Sequence, residues 1–154
     1  MIPGLQLVVL AKAPVPGRVK TRLCPPYLPH EAAGLAAAAL ADVLDAVRAA
    51  PATRRLLLLD GDSDLVDSRG FEVFAQGAGA LDVRLAAAFA AVAGAPAFLV
   101  GMDTPQLTSR HLAHAGDALF RYDACLGPTV DGGWWGLGLR HPDPDLLLGV
   151  RCSL

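Results

Sequence analysis

The chain has 154 residues, a formal net charge of −2 and a hydrophobic fraction of 53%. This length fits one domain, and the apolar excess with only 18% charged residues excludes a disordered chain. The slightly acidic balance argues against a nucleic-acid-binding protein, because such domains usually carry a basic surface. We therefore expect residues 1–154 to form one domain that binds no nucleic acid.

Short apolar runs alternate with helical segments along the chain. Apolar runs bounded by turns predict buried strands, and apolar residues at helical spacing predict amphipathic helices. In chain order, the predicted elements are a strand at Leu5–Leu10, a helix at Glu31–Ala50, strands at Arg55–Leu59 and Phe71–Phe74, a helix at Asp82–Val92, a strand at Ala97–Val100, a helix at Thr108–Leu119, and strands at Ala124–Gly127 and Trp135–Leu139. This alternation predicts an α/β fold, in which a mostly parallel central sheet has helices on both faces.

The longest uncharged stretch, Leu85–Met102, is long enough on paper to span a bilayer. The Gly-Ala-Pro triplet at 94–96 divides it, which favours a helix followed by a buried strand. No basic residue precedes the first apolar run, so the N-terminus does not have the pattern of a signal peptide. The cysteines Cys24, Cys125 and Cys152 are odd in number and lack CxxC spacing, which is typical of reduced thiols. We expect a cytoplasmic protein that does not associate with a membrane.

The residues after the first predicted strand form a basic loop, Ala11–Leu23, with the sequence AKAPVPGRVKTRL. It contains both lysines of the chain, Lys12 and Lys20, and two of the eleven arginines, Arg18 and Arg22. Ligands of open α/β sheets bind outside the carboxyl ends of the strands, where this loop is placed. Lysine and arginine at such a position favour phosphate binding over a merely solvated basic loop. The loop lacks the glycine-rich spacing of a Walker A motif.

Acidic residues follow other predicted strands. Asp103 is either a ligand of a divalent metal, which commonly shares a carboxylate with phosphate oxygens, or the cap of its own turn. Asp131, in the sequence DGGWW, is a candidate metal ligand or general base. The turn at 60–64 is predicted to cap a short helix, although its strand-end position also suits a nucleotide contact.

Glycines and aromatic residues adjoin two further strand ends. The sequence QGAG at 76–79 leaves room for a base or a ribose beside the backbone. Trp134 and Trp135 either form a stacking wall or fill the core, and core filling is the favoured interpretation.

Four motifs occur in order between Leu5 and Leu139: AKAPVPGRVKTRL, QGAGALDVRL, GMDTPQLT and GPTVDGGWWGLGL. By these motifs the chain resembles the DUF2064 family, part of the wider GT-A superfamily of nucleotide-diphospho-sugar transferases. The resemblance implies a Rossmann-like GT-A fold. Family members continue beyond the point at which this chain ends, so the resemblance also implies a C-terminal truncation.

The resemblance implies a role for each motif. It implies that Asp103 holds Mg²⁺ or Mn²⁺, and that Asp131 lies beside the acceptor. The single Asp103 departs from the DxD sequence of many superfamily members. Asp131 and Lys20 are the predicted catalytic residues. The residues implied to bind the nucleotide are Lys12, Gly17, Arg18, Lys20, Arg22, Gly77 and Gly79.

These expectations define a leading function and two alternatives. The leading prediction is a metal-dependent transferase that takes a nucleotide-activated donor, such as a nucleotide-diphospho-sugar, to an unknown acceptor. A nucleotidyltransferase that releases pyrophosphate and a non-catalytic nucleotide-binding domain are the alternatives. The apolar excess fits a buried homodimer interface as well as it fits Ala-rich helices.

Overall fold

The computed structural model describes residues 4–150. Every predicted helix and strand is present, with its ends within two residues of the prediction. The elements are β1 (Gln6–Lys12), α1 (Pro29–Ala49), β2 (Arg54–Asp60), β3 (Glu72–Ala75), α2 (Leu81–Ala91), β4 (Ala97–Gly101), α3 (Ser109–Arg121), β5 (Ala124–Pro128) and β6 (Trp134–Leu139), with short 3₁₀ helices at Thr21–Leu23, Ser63–Leu65 and Pro144–Leu146.

The six strands form one sheet in the order β3-β2-β1-β4-β6-β5. Strands β1 to β4 are parallel to one another, and β6 runs antiparallel to both β4 and β5. The predicted mostly parallel sheet is therefore confirmed. Because β5 and β6 are consecutive and antiparallel, a short turn joins them at the edge where β1, β2 and β4 also end.

Alternating residues of the strands build a core on each face of the sheet. In β1, Leu7 and Val9 point to the face covered by α1 and α3. Val8 points to the opposite face, where it packs with Leu85 and Phe89 of α2. Helices thus cover both faces, as the alternation of elements predicts.

Polar side chains fix helix ends where the sequence placed them. Thr108 caps α3, since its hydroxyl oxygen accepts a 3.3 Å hydrogen bond from the His111 backbone N–H. Asp62 caps the short helix Ser63–Leu65 by accepting from the Asp64 N–H. Asp82, in the first turn of α2, accepts a 2.9 Å hydrogen bond from the Gly149 N–H and ties residue 149 to that helix.

The uncharged stretch divides as expected, because α2 ends at Ala91 and β4 begins at Ala97. Within residues 4–150, no helix combines the length and apolarity that crossing a bilayer requires. Cys24 and Cys125 are free thiols. The third predicted thiol, Cys152, lies outside the described residues.

Candidate functional site

A cavity of about 410 Å³ opens where β1, β2 and β4 end. Its floor and walls include Leu10, Leu81 and the tandem tryptophans. Its charged and polar lining comes from the basic loop, the ends of β2 and β4, and the segment between β3 and α2: Lys12, Arg18, Lys20, Asp60, Gln76, Arg84, Asp103 and Thr104.

The cavity is basic although the chain carries a net charge of −2. Four cationic side chains line it against two carboxylates. Lys20 is paired with Asp103, whereas the described residues provide no carboxylate partner for Lys12, Arg18 or Arg84. A concave basic surface of this kind concentrates anions, because the low-dielectric walls focus the local field.

An ion pair between Lys20 and Asp103 forms part of the cavity lining. Lys20 Nζ lies 2.8 Å from Asp103 Oδ1. The Lys20 backbone has φ 51°, a left-handed conformation that few residues with a side chain adopt. Asp103 pairs with Lys20 instead of capping its own turn, and 69% of its side chain is exposed. The carboxylate is therefore accessible to an incoming ligand.

Backbone contacts hold the start of the basic loop against the sheet edge. The Ala13 N–H donates a 2.8 Å hydrogen bond to the Asp60 carbonyl. Gly61 permits this approach, because it has φ 121° and a Cβ there would lie 2.6 Å from the Ala13 Cβ. The Lys12 ammonium donates to the Arg18 carbonyl at 3.4 Å. The loop is thus folded back with its charges around the cavity.

Asp131 lies in the turn between β5 and β6 and shapes that turn. Its Oδ1 accepts hydrogen bonds from the Thr129 hydroxyl and, at 3.1 Å, from the Gly133 N–H. These two hydrogen bonds, the Thr129 one first, hold the pKa of the Asp131 carboxyl below its ordinary value. The carboxylate is exposed and does not line the cavity.

The structure brings together only part of the predicted site. Lys12, Arg18, Lys20 and Asp103 all line the cavity. The other predicted site residues lie outside its lining: Gly17, Arg22, Gly77, Gly79 and Asp131.

Gln76 and Arg84 are hydrogen-bonded lining residues that were not predicted as site residues from the sequence. Gln76 donates through Nε2 to the Ala11 carbonyl at 2.6 Å and to the Leu58 carbonyl at 3.1 Å. Its Oε1 accepts a 3.1 Å hydrogen bond from Arg84 Nη1. The available signal was an arginine in α2, whose other residues are apolar apart from Asp82.

The two tryptophans pack against the core, which is the role favoured from the sequence. Trp135 packs against the core on the α1 and α3 face, with its ring centroid 5.7 Å from that of Phe98 in an edge-on arrangement. Trp134 packs against the core on the α2 face. Gly127 leaves space for the Trp135 indole, because a Cβ at Gly127 would overlap that ring. Both tryptophans also line the cavity.

The donor set around the cavity suits a metal shared with a phosphate ligand. Among residues 4–150 there is no group of three or more His, Cys, Asp or Glu side chains that could enclose an ion. Asp103 is accessible, and Mg²⁺ is commonly held by one or two carboxylates together with phosphate oxygens and water. The residues therefore fit a metal that arrives with, or is completed by, a phosphorylated ligand.

Together, the sheet topology and the basic cavity define an α/β protein with the fold of nucleotide-diphospho-sugar transferases. A solved structure of a candidate nucleotide-diphospho-sugar transferase from Desulfovibrio desulfuricans G20 matches with a TM-score of 0.84 and 27% identity, over 96% of this chain and 68% of that one. A family model described as uncharacterized protein conserved in bacteria, DUF2064, matches residues 36–154. The chain belongs to the DUF2064 family.

More distant structures share the fold. Rv0371c from Mycobacterium tuberculosis H37Rv, in a complex with manganese, matches with a TM-score of 0.65 and 20% identity, over 97% of this chain and 78% of that one. The 4-diphosphocytidyl-2C-methyl-D-erythritol synthase from Anaerococcus prevotii DSM 20548 matches with a TM-score of 0.55 and 9% identity, over 93% and 72% of the two chains. A search of the curated proteins finds no match.

Proposed function

We propose that this protein is a metal-dependent transferase that uses a nucleotide-activated donor, with glycosyl transfer from a nucleotide-diphospho-sugar as the reaction. The observation that carries the proposal is the basic cavity at the strand ends, in which the accessible carboxylate of Asp103 faces an excess of cationic side chains. The named activity of the Desulfovibrio structure and the manganese complex of Rv0371c support it. We further propose that residues 1–154 act as one nucleotide-binding domain in the cytoplasm.

The basic loop binds the diphosphate in this proposal. Within residues 4–150, Lys12 and Arg18 have no carboxylate partner and can bind phosphate oxygens, Arg18 through a two-pronged contact. Asp103 would hold Mg²⁺ or Mn²⁺, and a metal bound there would supply positive charge that favours departure of the diphosphate. Lys20 exchanges Asp103 for phosphate and stabilises the charge that develops there.

Asp131 positions the acceptor in this proposal. Its lowered pKa keeps it ionised at neutral pH, and its Oδ1 is used by its own turn. The other carboxylate oxygen can accept a hydrogen bond from an acceptor hydroxyl. A lowered pKa makes Asp131 a weak proton acceptor, because efficient general bases have a pKa near the working pH. Orientation of the hydroxyl is therefore its main contribution.

Binding measurements on Asp103 test the metal site. Titration calorimetry with a nucleoside diphosphate is expected to show tighter binding to the native protein with Mn²⁺ than without it. We expect Asp103→Asn to reduce that metal-dependent gain at least about tenfold, since even the outer partners of metal ligands change metal affinity by 10–100-fold.

Asp123→Asn is the matched control. Asp123 is exposed and precedes β5, so it lies at the opposite edge of the sheet from the cavity. The control is expected to keep the full metal-dependent gain. If Asp103→Asn kept the full increase in nucleotide affinity with Mn²⁺, Asp103 would not be a metal ligand.

Product analysis separates the proposed reaction from nucleotidyl transfer. Nucleotidyl transfer is the second candidate because the synthase from Anaerococcus shares this fold. Incubation with nucleotide-diphospho-sugars and, separately, with nucleoside triphosphates is followed for free nucleoside diphosphate and for pyrophosphate. Glycosyl transfer predicts nucleoside diphosphate from the first mixture. Pyrophosphate from the second mixture instead establishes the nucleotidyltransferase, and tight binding without either product supports a non-catalytic domain.

A further inference from the structure

Arg84 is a cation of the cavity lining with a buried donor that lacks a partner among the described residues. Its Nε is buried and has no hydrogen-bond partner within residues 4–150. The guanidinium makes one hydrogen bond, from Nη1 to Gln76 Oε1 at 3.1 Å, and pairs with no carboxylate among the described residues. A buried donor without a partner costs free energy, so native proteins keep few of them outside functional sites. Among the described residues the Nη2 group of Arg84 has no partner, and Arg84 lines the cavity, so its terminal amino groups can donate to a ligand.

Gln76 fixes the direction of this guanidinium. Both carbonyls that Gln76 Nε2 contacts, Ala11 and Leu58, belong to central strands of the sheet. Their positions determine which way the amide faces, and so aim Oε1 at Arg84. An arginine fork held in this way is preorganised, because little side-chain freedom is left to lose when a ligand binds.

The walls beside Arg84 differ from the phosphate end of the cavity. Leu10, Leu81 and Trp134 line the cavity and pack against the core on the α2 face, the face that carries Arg84. The basic loop, the pair of Lys20 with Asp103 and the Asp60 carboxylate provide the other charged groups of the lining. The Arg84 end thus combines apolar walls with one fixed, two-pronged donor.

We propose that Arg84 binds the nucleobase of the donor nucleotide, with its fork donating to carbonyl and ring-nitrogen acceptors on the edge of the base. This inference rests on the proposed function. A base has a flat apolar face that suits Leu81 and Trp134, whereas a phosphate would lose hydration there and gains more from Lys12 and Arg18. Guanine offers O6 and N7 side by side, and uracil offers carbonyls, while adenine mixes a donor with an acceptor. Arg84 accordingly selects a carbonyl-bearing base over adenine.

The test compares ligands with and without a base. Dissociation constants for GDP, UDP, ADP and pyrophosphate are measured by titration calorimetry with Mn²⁺ on the native protein and on Arg84→Met. The native protein is expected to bind GDP or UDP at least about tenfold more tightly than ADP and pyrophosphate, the size of a two-pronged arginine contact to a base. Arg84→Met is expected to lose that advantage while its pyrophosphate affinity is unchanged.

Two further variants separate recognition from folding. Arg110→Met, an exposed arginine of α3 that does not line the cavity, is expected to keep every affinity. Arg84→Lys keeps the charge without the fork and is expected to lose the same advantage, which provides the comparison if Arg84→Met fails to fold. Thermal unfolding of Arg84→Met is expected close to the native temperature, because the variant removes a buried donor without a partner but also removes the donor to Gln76 Oε1.

The outcomes distinguish this inference from the function on which it rests. If Arg84→Met and Arg84→Lys bind pyrophosphate and nucleotides with an unchanged base preference, the role of Arg84 is overturned. The proposed function is not affected by that result. An equal loss for pyrophosphate and for GDP would show Arg84 to be a phosphate ligand and also overturn the inference. A native protein that binds none of the four ligands would overturn the proposed function together with it.

Discussion

Asp103 is the predicted metal ligand of the chain, and in the structure its carboxylate holds the ammonium group of Lys20 at 2.8 Å. A metal ion at the same oxygen has to displace that ammonium group. The pair is partly exposed, and exposed ion pairs contribute only about 0.2–1 kcal/mol, so the competition is weak enough to be reversed by a ligand. A phosphate that binds Lys20 would release Asp103, which couples metal binding to nucleotide binding.

Replacement of Lys20 tests this coupling. Lys20→Met is expected to bind Mn²⁺ about 1.4- to fivefold more tightly in the absence of nucleotide, because the competing ion pair of about 0.2–1 kcal/mol is gone. The same variant is expected to bind nucleoside diphosphate less tightly. Calorimetric titration with Mn²⁺ alone measures the first effect.

Lys12→Met is the control for this prediction. Lys12 lines the same cavity, but its ammonium group contacts the Arg18 carbonyl and not Asp103. We expect its affinity for Mn²⁺ alone to match that of the native protein. Unchanged or weaker Mn²⁺ binding in Lys20→Met would contradict the competition.

At the scale of elements, the glycines of β6 determine how α3 packs on the sheet. Gly138 faces Phe98 of β4 and Leu119 of α3, and a Cβ at Gly138 would lie 2.8 Å from Phe98 Cδ2 and 2.9 Å from Leu119 Cδ1. Phe98 is 1% exposed, so it has little room to move. The missing side chain of β6 thus lets a large aromatic ring fill the core beside Trp135.

Gly138→Ala is expected to lower the free energy of unfolding by about 1–3 kcal/mol, the usual cost of overpacking a core. Gly34→Ala is the matched control and is expected to raise the free energy of unfolding instead of lowering it. Gly34 is exposed in α1, and no heavy atom lies within 4 Å of the position of its Cβ, so alanine adds about 0.5–1 kcal/mol through helix propensity. Urea unfolding of both variants measures these changes. An unchanged free energy of unfolding in Gly138→Ala would show that the core around Gly138 can rearrange to accept a methyl group.

At the scale of the whole molecule, charge is unevenly distributed. The chain is slightly acidic, yet the end of the sheet that carries the cavity is basic. Net charge alone would predict repulsion of a nucleotide, whereas the local field at the cavity predicts attraction. Near the cavity, attraction by its cationic side chains exceeds repulsion by the net charge, because salt screens exposed charges farther away than about 10 Å at 0.1 M.

Nucleotide affinity is therefore expected to fall with salt. Between about 0.05 and 0.5 M NaCl we expect the dissociation constant of a nucleoside diphosphate to rise roughly threefold or more, because screening weakens the attraction of the exposed cationic side chains. Arg18→Gln removes one of these cations and is expected to make the dissociation constant less dependent on salt. Calorimetry across the salt series measures both, and an affinity that is independent of salt would contradict an electrostatic cavity.

The sequence by itself determined the elements and the position of the basic loop. Hydrophobic periodicity sets the helices and strands, because each must bury an apolar face, and Thr108 caps α3 through a contact only three residues away. The basic loop could be placed at the site since parallel strands end at one edge of a sheet. These features depend on local spacing or on a general rule of topology.

The tertiary structure decided which of these side chains meet. Asp103 pairs with Lys20 across 83 positions of the chain, Asp131 lies outside the cavity, and Arg84 lies in its wall. A partner so distant in sequence leaves no mark on local periodicity, and a loop side chain can turn toward a site or away from it. The contacts that orient Arg84 exist only once Gln76 has bonded to two strands that folding brings side by side.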